Sequence, residues 1–364
     1  MEAQDLIYLV SCAVNGVTPD AERVARMDLD AIYTLASRHM LAATVAPALK
    51  EAGIQDKRFA KALEHSALKS STMDMEMDAL FAELDAAGIW HMPLKGIVLQ
   101  YLYPVYGMRE MSDHDILFDA DRADDVKAIM EGLGFRAEEL GVSHHDVYHK
   151  DPVSNFEMHR GLFGPGLYPK LYEYYRDVEK RLLGDGYEKH LSPEDCYLYL
   201  TAHEYKHYMD MGTGLRSLLD IYVVLQKESL DMAYVTGEAE KLGIAEFEAD
   251  NRALALRLFS GETLTEKEKE RLQTILDSGT YGSRELAVQR RLSDFGYGKI
   301  RYAFERFIEP INKNSWNYRN LSYEFPFFYK YKILLPCLPF YRVFLRLFSG
   351  RLTAELKALN KAEK

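Results

Sequence analysis

Two aspartates spaced two apart, Asp113 and Asp115, stand in the run Arg109-Glu-Met-Ser-Asp-His-Asp-Ile-Leu-Phe118. In an extended chain alternate residues share a face, so both carboxylates project together a few ångströms apart. Like charges held that close call for a counter-cation. Mg²⁺ suits them, because it prefers hard oxygen donors and is commonly held by one or two carboxylates plus phosphate oxygens. Glu157, in the β-type run Ser154-Asn-Phe-Glu-Met-His159, can supply a third carboxylate from a neighbouring strand and complete a two-metal centre. Upstream, Lys95-Gly96 separates a short β-type run from a helical one. Backbone N–H groups and the positive end of a helix dipole can meet a phosphate there, with Lys95 as an added charge and Arg109 as a second phosphate partner.

The elements that must position these residues follow from hydrophobic periodicity. Residues 1–88 read as helices, with apolar positions such as Leu63, Leu68, Met73, Met77, Leu80 and Leu84 recurring at helical spacing until Gly88. From residue 89 the texture changes to short β-type runs at 89–94, 113–118, 135–140, 146–150 and 154–159, with helices over 97–103 and 122–133. A Gly/Pro-rich connector at 161–169 precedes helical patterns at 196–209, 215–225, 232–242 and 247–258. The expected fold is α+β: a small mixed sheet at 89–165, an N-terminal helical segment at 1–88, a mostly helical domain at 166–294 and a basic aromatic segment at 295–364.

The chain around the acidic pair resembles the uncharacterised nucleotidyltransferase family of the DNA polymerase β-like superfamily. The resemblance rests on K-G at a strand-to-helix turn, then R-x-M-S-D-x-D-I-L, then F-E-M-H, and it extends to His203, His207, Arg216 and Asp220 in the helical half. It implies Mg²⁺-dependent transfer of a nucleoside monophosphate from an NTP, ATP by default, to an acceptor hydroxyl. Asp113, Asp115 and Glu157 would be the ligands of two ions, and Lys95, Gly96, Arg109 and Ser112 would contact the nucleotide. His159, His203, His207, Arg216 and Asp220 would wall the pocket. Ile97 stands where the wider superfamily has a phosphate-binding serine, and from it comes an alternative reading, a nucleotide-binding module without turnover.

His203-Glu-Tyr-Lys-His207 also matches H-E-x-x-H, the zinc-hydrolase helix motif, with Glu204 as general base and Glu228 as a third ligand. Lys206 inside the motif, and Asp210 and Thr213 where the extended form needs Gly and His, weigh against it. His144, His145 and His149 read as a solvated strand edge.

The 364 residues carry a net charge of −11, which excludes a generally basic nucleic-acid coat, and 48% hydrophobic with 28% charged residues is ordinary globular composition. From Phe295 onward 13 Lys and Arg face 5 Asp and Glu, so the remainder is more acidic still. The aromatic and cationic tail is compatible with RNA stacking or with docking on an anionic membrane surface, but the preferred reading is a helix pair that covers the acidic body. Cys12, Cys196 and Cys337 form no motif, Glu2 and Asp5 are unlike a signal peptide's positive start, and no run approaches the ~20 apolar residues that span a bilayer. A cytoplasmic location is the expectation.

Overall fold

A computed structural model gives the architecture and describes residues 1–141, 143–166, 168–283, 286–289, 292, 298–313, 315, 317–348 and 351–361. Five helices open the chain: α1 (Glu2–Asn15), α2 (Ala21–Val24), α3 (Leu29–Arg38), α4 (Ala42–Glu51) and the long α5 (Lys57–Ala86). Strand β1 (His91–Pro93), α6 (Gly96–Leu99), β2 (His114–Phe118), α7 (Ala123–Gly132), β3 (Arg136–Glu139), β4 (His145–Lys150) and β5 (Ser154–His159) follow. Next come α8 (Pro169–Tyr175), α9 (Pro193–Asp210), α10 (Leu215–Lys227), α11 (Met232–Leu242), α12 (Ala245–Ser260) and α13 (Glu266–Ser278). The fold is α+β, and the strands fall where period-two patterning places them.

The sheet is mixed, in the order β1-β2-β5-β4-β3, with β2 and β5 parallel and the other neighbours antiparallel. Alternation divides its two faces by chemistry. Ile116, Phe118, Tyr148, Phe156 and Met158 point to one side and pack with Met77, Leu80 and Leu84 of α5 and Val126 and Met130 of α7. The opposite face carries the acidic residues. A second core joins the N-terminal helices to the later ones: Leu6, Leu9 and Val10 of α1 share one apolar cluster with Leu218 of α10 and Leu254 and Phe259 of α12.

The helix after Lys95-Gly96 is shorter than the pattern at 97–103 suggests. It is a four-residue turn continued by a 3₁₀ turn, Gln100–Leu102. Pro104 disfavours helical geometry at Tyr103, whose backbone is already extended. So short a helix has little macrodipole to offer a phosphate, which corrects the helix-dipole part of the expectation at this turn.

The tail also departs from expectation. Helices Lys299–Ile308, Leu338–Phe348 and Arg351–Lys361 are accompanied by a small core of Val288, Leu292, Tyr302, Ala358 and Leu359. Arg342 pairs with Glu309 at 3.3 Å, and Arg346 with Glu355. Both arginines thus have acidic partners within the tail. Phe295, where the sequence reading starts the tail, and the side chains of Arg319 and Arg351 lie outside the described residues. Among the described residues no single helix is long and apolar enough to cross a membrane.

Candidate active site

Parallel pairing of β2 with β5 sets Asp115 directly beside Glu157, on the face away from the sheet's apolar core. Asp113, just before β2, points the same way by period two. Lys95 reaches this face from the β1–α6 turn: its Nζ lies 2.9 Å from Asp115 Oδ1, and His159 Nε2 lies 2.7 Å from the same oxygen. Lys95 holds φ 44° and ψ −112°, a conformation L-residues rarely adopt, at a cost of ~1–3 kcal/mol. Strain of this kind persists where surrounding bonds over-determine it. Here Leu94 N–H donates to Asp115 O and Leu99 N–H to Lys95 O, each at 2.9 Å.

The three carboxylates titrate differently because their surroundings differ. Burial alone would raise Asp115, but Lys95 and His159 outweigh it and hold its carboxyl far below the usual carboxylate range. Burial, then the negative charge of Asp115, pushes Asp113 up. Burial, Asp115 and Asp113 together push Glu157 up to about 7. Asp115, Glu157 and His159 bring ligand atoms within 4.8 Å of one another, and Asp113 stands outside that group.

Cations ring the acids, several of them invisible to motif reading. Lys69 of α5 donates to Met111 O at 2.9 Å and Ser112 O at 2.8 Å, and its charge lowers Asp113. Arg216 of α10 donates to Glu110 O at 2.8 Å, leaves its buried Nε without a partner among the described residues, and also acts on Asp113. Lys206 of α9 is brought down to about 8, by burial first and then by Lys95. His203 and His207 sit beside it with their Nε2 atoms 3.1 Å apart, both held well below the usual imidazole range, chiefly by burial.

Other expected contacts are not seen. Arg109 is 7% exposed and binds Asp220 through two bonds, Nε to Oδ1 at 2.8 Å and Nη2 to Oδ2 at 2.9 Å, while Tyr103 Oη donates to Asp220 Oδ1 at 2.8 Å. This buried pair ties the segment before β2 to α10. Arg109 thus acts as a clamp between these segments, with Asp220 as its anchor. Ser112 Oγ faces Tyr281 Oη at 3.1 Å. Gly96 serves packing: an added Cβ would lie 2.5 Å from Arg109 Nη1 and 2.6 Å from Met111 Cε. With Arg109 pinned to Asp220 the clash has little room to relax. Gly96→Ala is expected to lose ~1–3 kcal/mol in urea unfolding.

The zinc-hydrolase geometry is not formed. Both Glu204 oxygens are buried without a partner among the described residues, and no third ligand stands with His203 and His207 there. Burial pushes the Glu204 carboxyl up to about 8 although Arg271 opposes it. The folded state thus keeps a proton that the unfolded chain releases near pH 4.5, so stability is lost as pH rises from about 4.5 through about 8. Glu157 adds to this loss up to about pH 7. Glu204→Gln is expected to flatten the slope and to be more stable than the parent at pH 9 by ~1–3 kcal/mol, read from urea midpoints at pH 6 and 9.

His144 and His145 are not a solvated strand edge. They are half-buried and turn toward His159, with ring centroids 5.6 and 5.0 Å from it, whereas His149 pairs with Glu138 at 2.6 Å. Their position depends on the register of β4 against β5, which opposes His145 to His159. A run of histidines before a strand was the signal available in the sequence.

The mixed sheet sets Asp115 and Glu157 on neighbouring parallel strands, next to a strand–Lys-Gly–helix turn. The chain belongs to the uncharacterised nucleotidyltransferase family, whose family model matches residues 25–260. That match runs from just before α3 through α12 and leaves α1, α2, α13 and the tail outside. No curated protein and no solved structure matches the chain.

Proposed function

We propose that the protein is a Mg²⁺-dependent nucleotidyltransferase that moves a nucleoside monophosphate from an NTP to an acceptor hydroxyl. The observation that carries this reading is the register pair Asp115–Glu157 with Lys95 on the same carboxylate. The donor set fits the metal: Asp113, Asp115 and Glu157 are hard oxygen donors on one face, and burial followed by mutual repulsion raises the pKa of two of them. When bound, Mg²⁺ would neutralise triphosphate charge and lower the pKa of the acceptor hydroxyl.

The chain's own residues supply the rest. Lys95, Lys206 and Arg216 provide positive charge near the acids for phosphate oxygens. Glu157, beside Asp115 on the parallel neighbouring strand, is placed to take the acceptor's proton. Ile97 is 2% exposed and packs in the sheet's core, so the phosphate duty of the superfamily serine falls to Lys95.

The test is incubation of the full chain with each α-labelled NTP, Mg²⁺ and a cell lysate, followed by a search for labelled product. Label that depends on Asp113 supports the reading and reports the acceptor class. Tight NTP binding without transfer to any acceptor would instead favour the binding module.

A further inference from the structure

Three imidazoles meet beside Glu157. His144 and His145 come from the start of β4 and His159 from the end of β5, and the antiparallel register opposes His145 to His159. Their ring centroids lie 4.9, 5.6 and 5.0 Å apart, and each offers a ring nitrogen such that all three fall within 4.8 Å of one another. His145 Nε2 is 3.6 Å and His159 Nε2 3.7 Å from Glu157 Oε2. The Nδ1 atoms of His145 and His159 are buried without a hydrogen-bond partner among the described residues, and His159 is only 2% exposed. Buried nitrogens left unpaired are costly, and apolar side chains would fill the same space without that cost.

We propose that His144, His145 and His159 form a three-imidazole site for a divalent transition-metal ion of the zinc class. Three imidazoles that leave a fourth position open are a tetrahedral zinc donor set, and imidazole selects such ions over Mg²⁺. The Asp115–His159 hydrogen bond supplies the carboxylate contact that orients a ligating imidazole. The site borders the proposed nucleotidyl-transfer centre at Glu157 but differs from it in donor chemistry.

The test titrates metal-stripped, full-length protein with Zn²⁺ by calorimetry and with Co²⁺ by visible absorption, both in millimolar Mg²⁺. One ion per chain is expected, with the intense visible bands of four-coordinate Co²⁺. His144→Ala and His145→Ala should each weaken binding at least about tenfold, and His203→Ala should leave it unchanged. His145→Gln, which keeps side-chain bulk, should lose Co²⁺ with an unmoved thermal midpoint. Binding is read without turnover, and Asp113→Asn should retain Co²⁺, so failure of the transferase reading and failure of this one are separate results. The proposal is overturned if stripped protein takes up no Zn²⁺, if uptake survives both histidine-to-alanine changes, or if it is lost in His203→Ala.

Discussion

Asp113→Asn is expected to cut nucleotidyl transfer by at least about 1000-fold while leaving the thermal midpoint equal to or above that of the parent. The two halves of this result have one cause. Burial and the neighbouring negative charge of Asp115 make the ionised form of Asp113 unfavourable. A neutral, isosteric amide removes that repulsion and so costs the fold nothing. The same amide offers a divalent cation one fewer anionic oxygen where charge must be neutralised. Initial rates with labelled NTP, paired with thermal unfolding of the same samples, check both halves. A variant that keeps its rate removes Asp113 from the chemistry, and one that loses both rate and midpoint makes it structural.

The second large effect concerns stability. Arg109→Met is expected to cost ~3–5 kcal/mol, because it leaves Asp220, 3% exposed, as a buried charge with only Tyr103 Oη still donating from the observed triad. The double change Arg109→Met with Asp220→Leu should recover most of the loss, since removing both partners of a buried pair is far cheaper than removing one. Urea unfolding of the parent, both single variants and the double variant measures the coupling directly. Additive single and double effects would mean that the pair does not join the two units.

These two residues also show where sequence reading succeeds and where it stops. Asp113, Asp115 and Glu157 are legible because strand alternation is local and needs only neighbouring residues. Their pairing across β2 and β5 then follows from one parallel register. Arg109 was legible as a cation near the acids, but its partner lies 111 residues away on α10, and no local pattern announces such a pair. Lys69 and Lys206 are similarly silent: each occupies an ordinary helical position, and only the packing of α5 and α9 against the sheet turns it toward the acids. The strands were legible to within a few residues, whereas the helix after Gly96 was overextended because Pro104 acts on the residue before it. In the tail, charge composition suggested contact with the acidic body, yet Glu309 and Glu355 lie nearer to the arginines that need them.

The central claim is that this centre transfers a nucleotidyl group rather than a terminal phosphate. It is tested most directly by supplying the same NTP labelled at either the α or the γ phosphate, with Mg²⁺ and the acceptor fraction that gives product. The predicted result is α label on the acceptor and γ label in released pyrophosphate, with neither product formed by Asp113→Asn. Recovery of γ label on the acceptor, or release of γ label as inorganic phosphate without any α-labelled product, would contradict it.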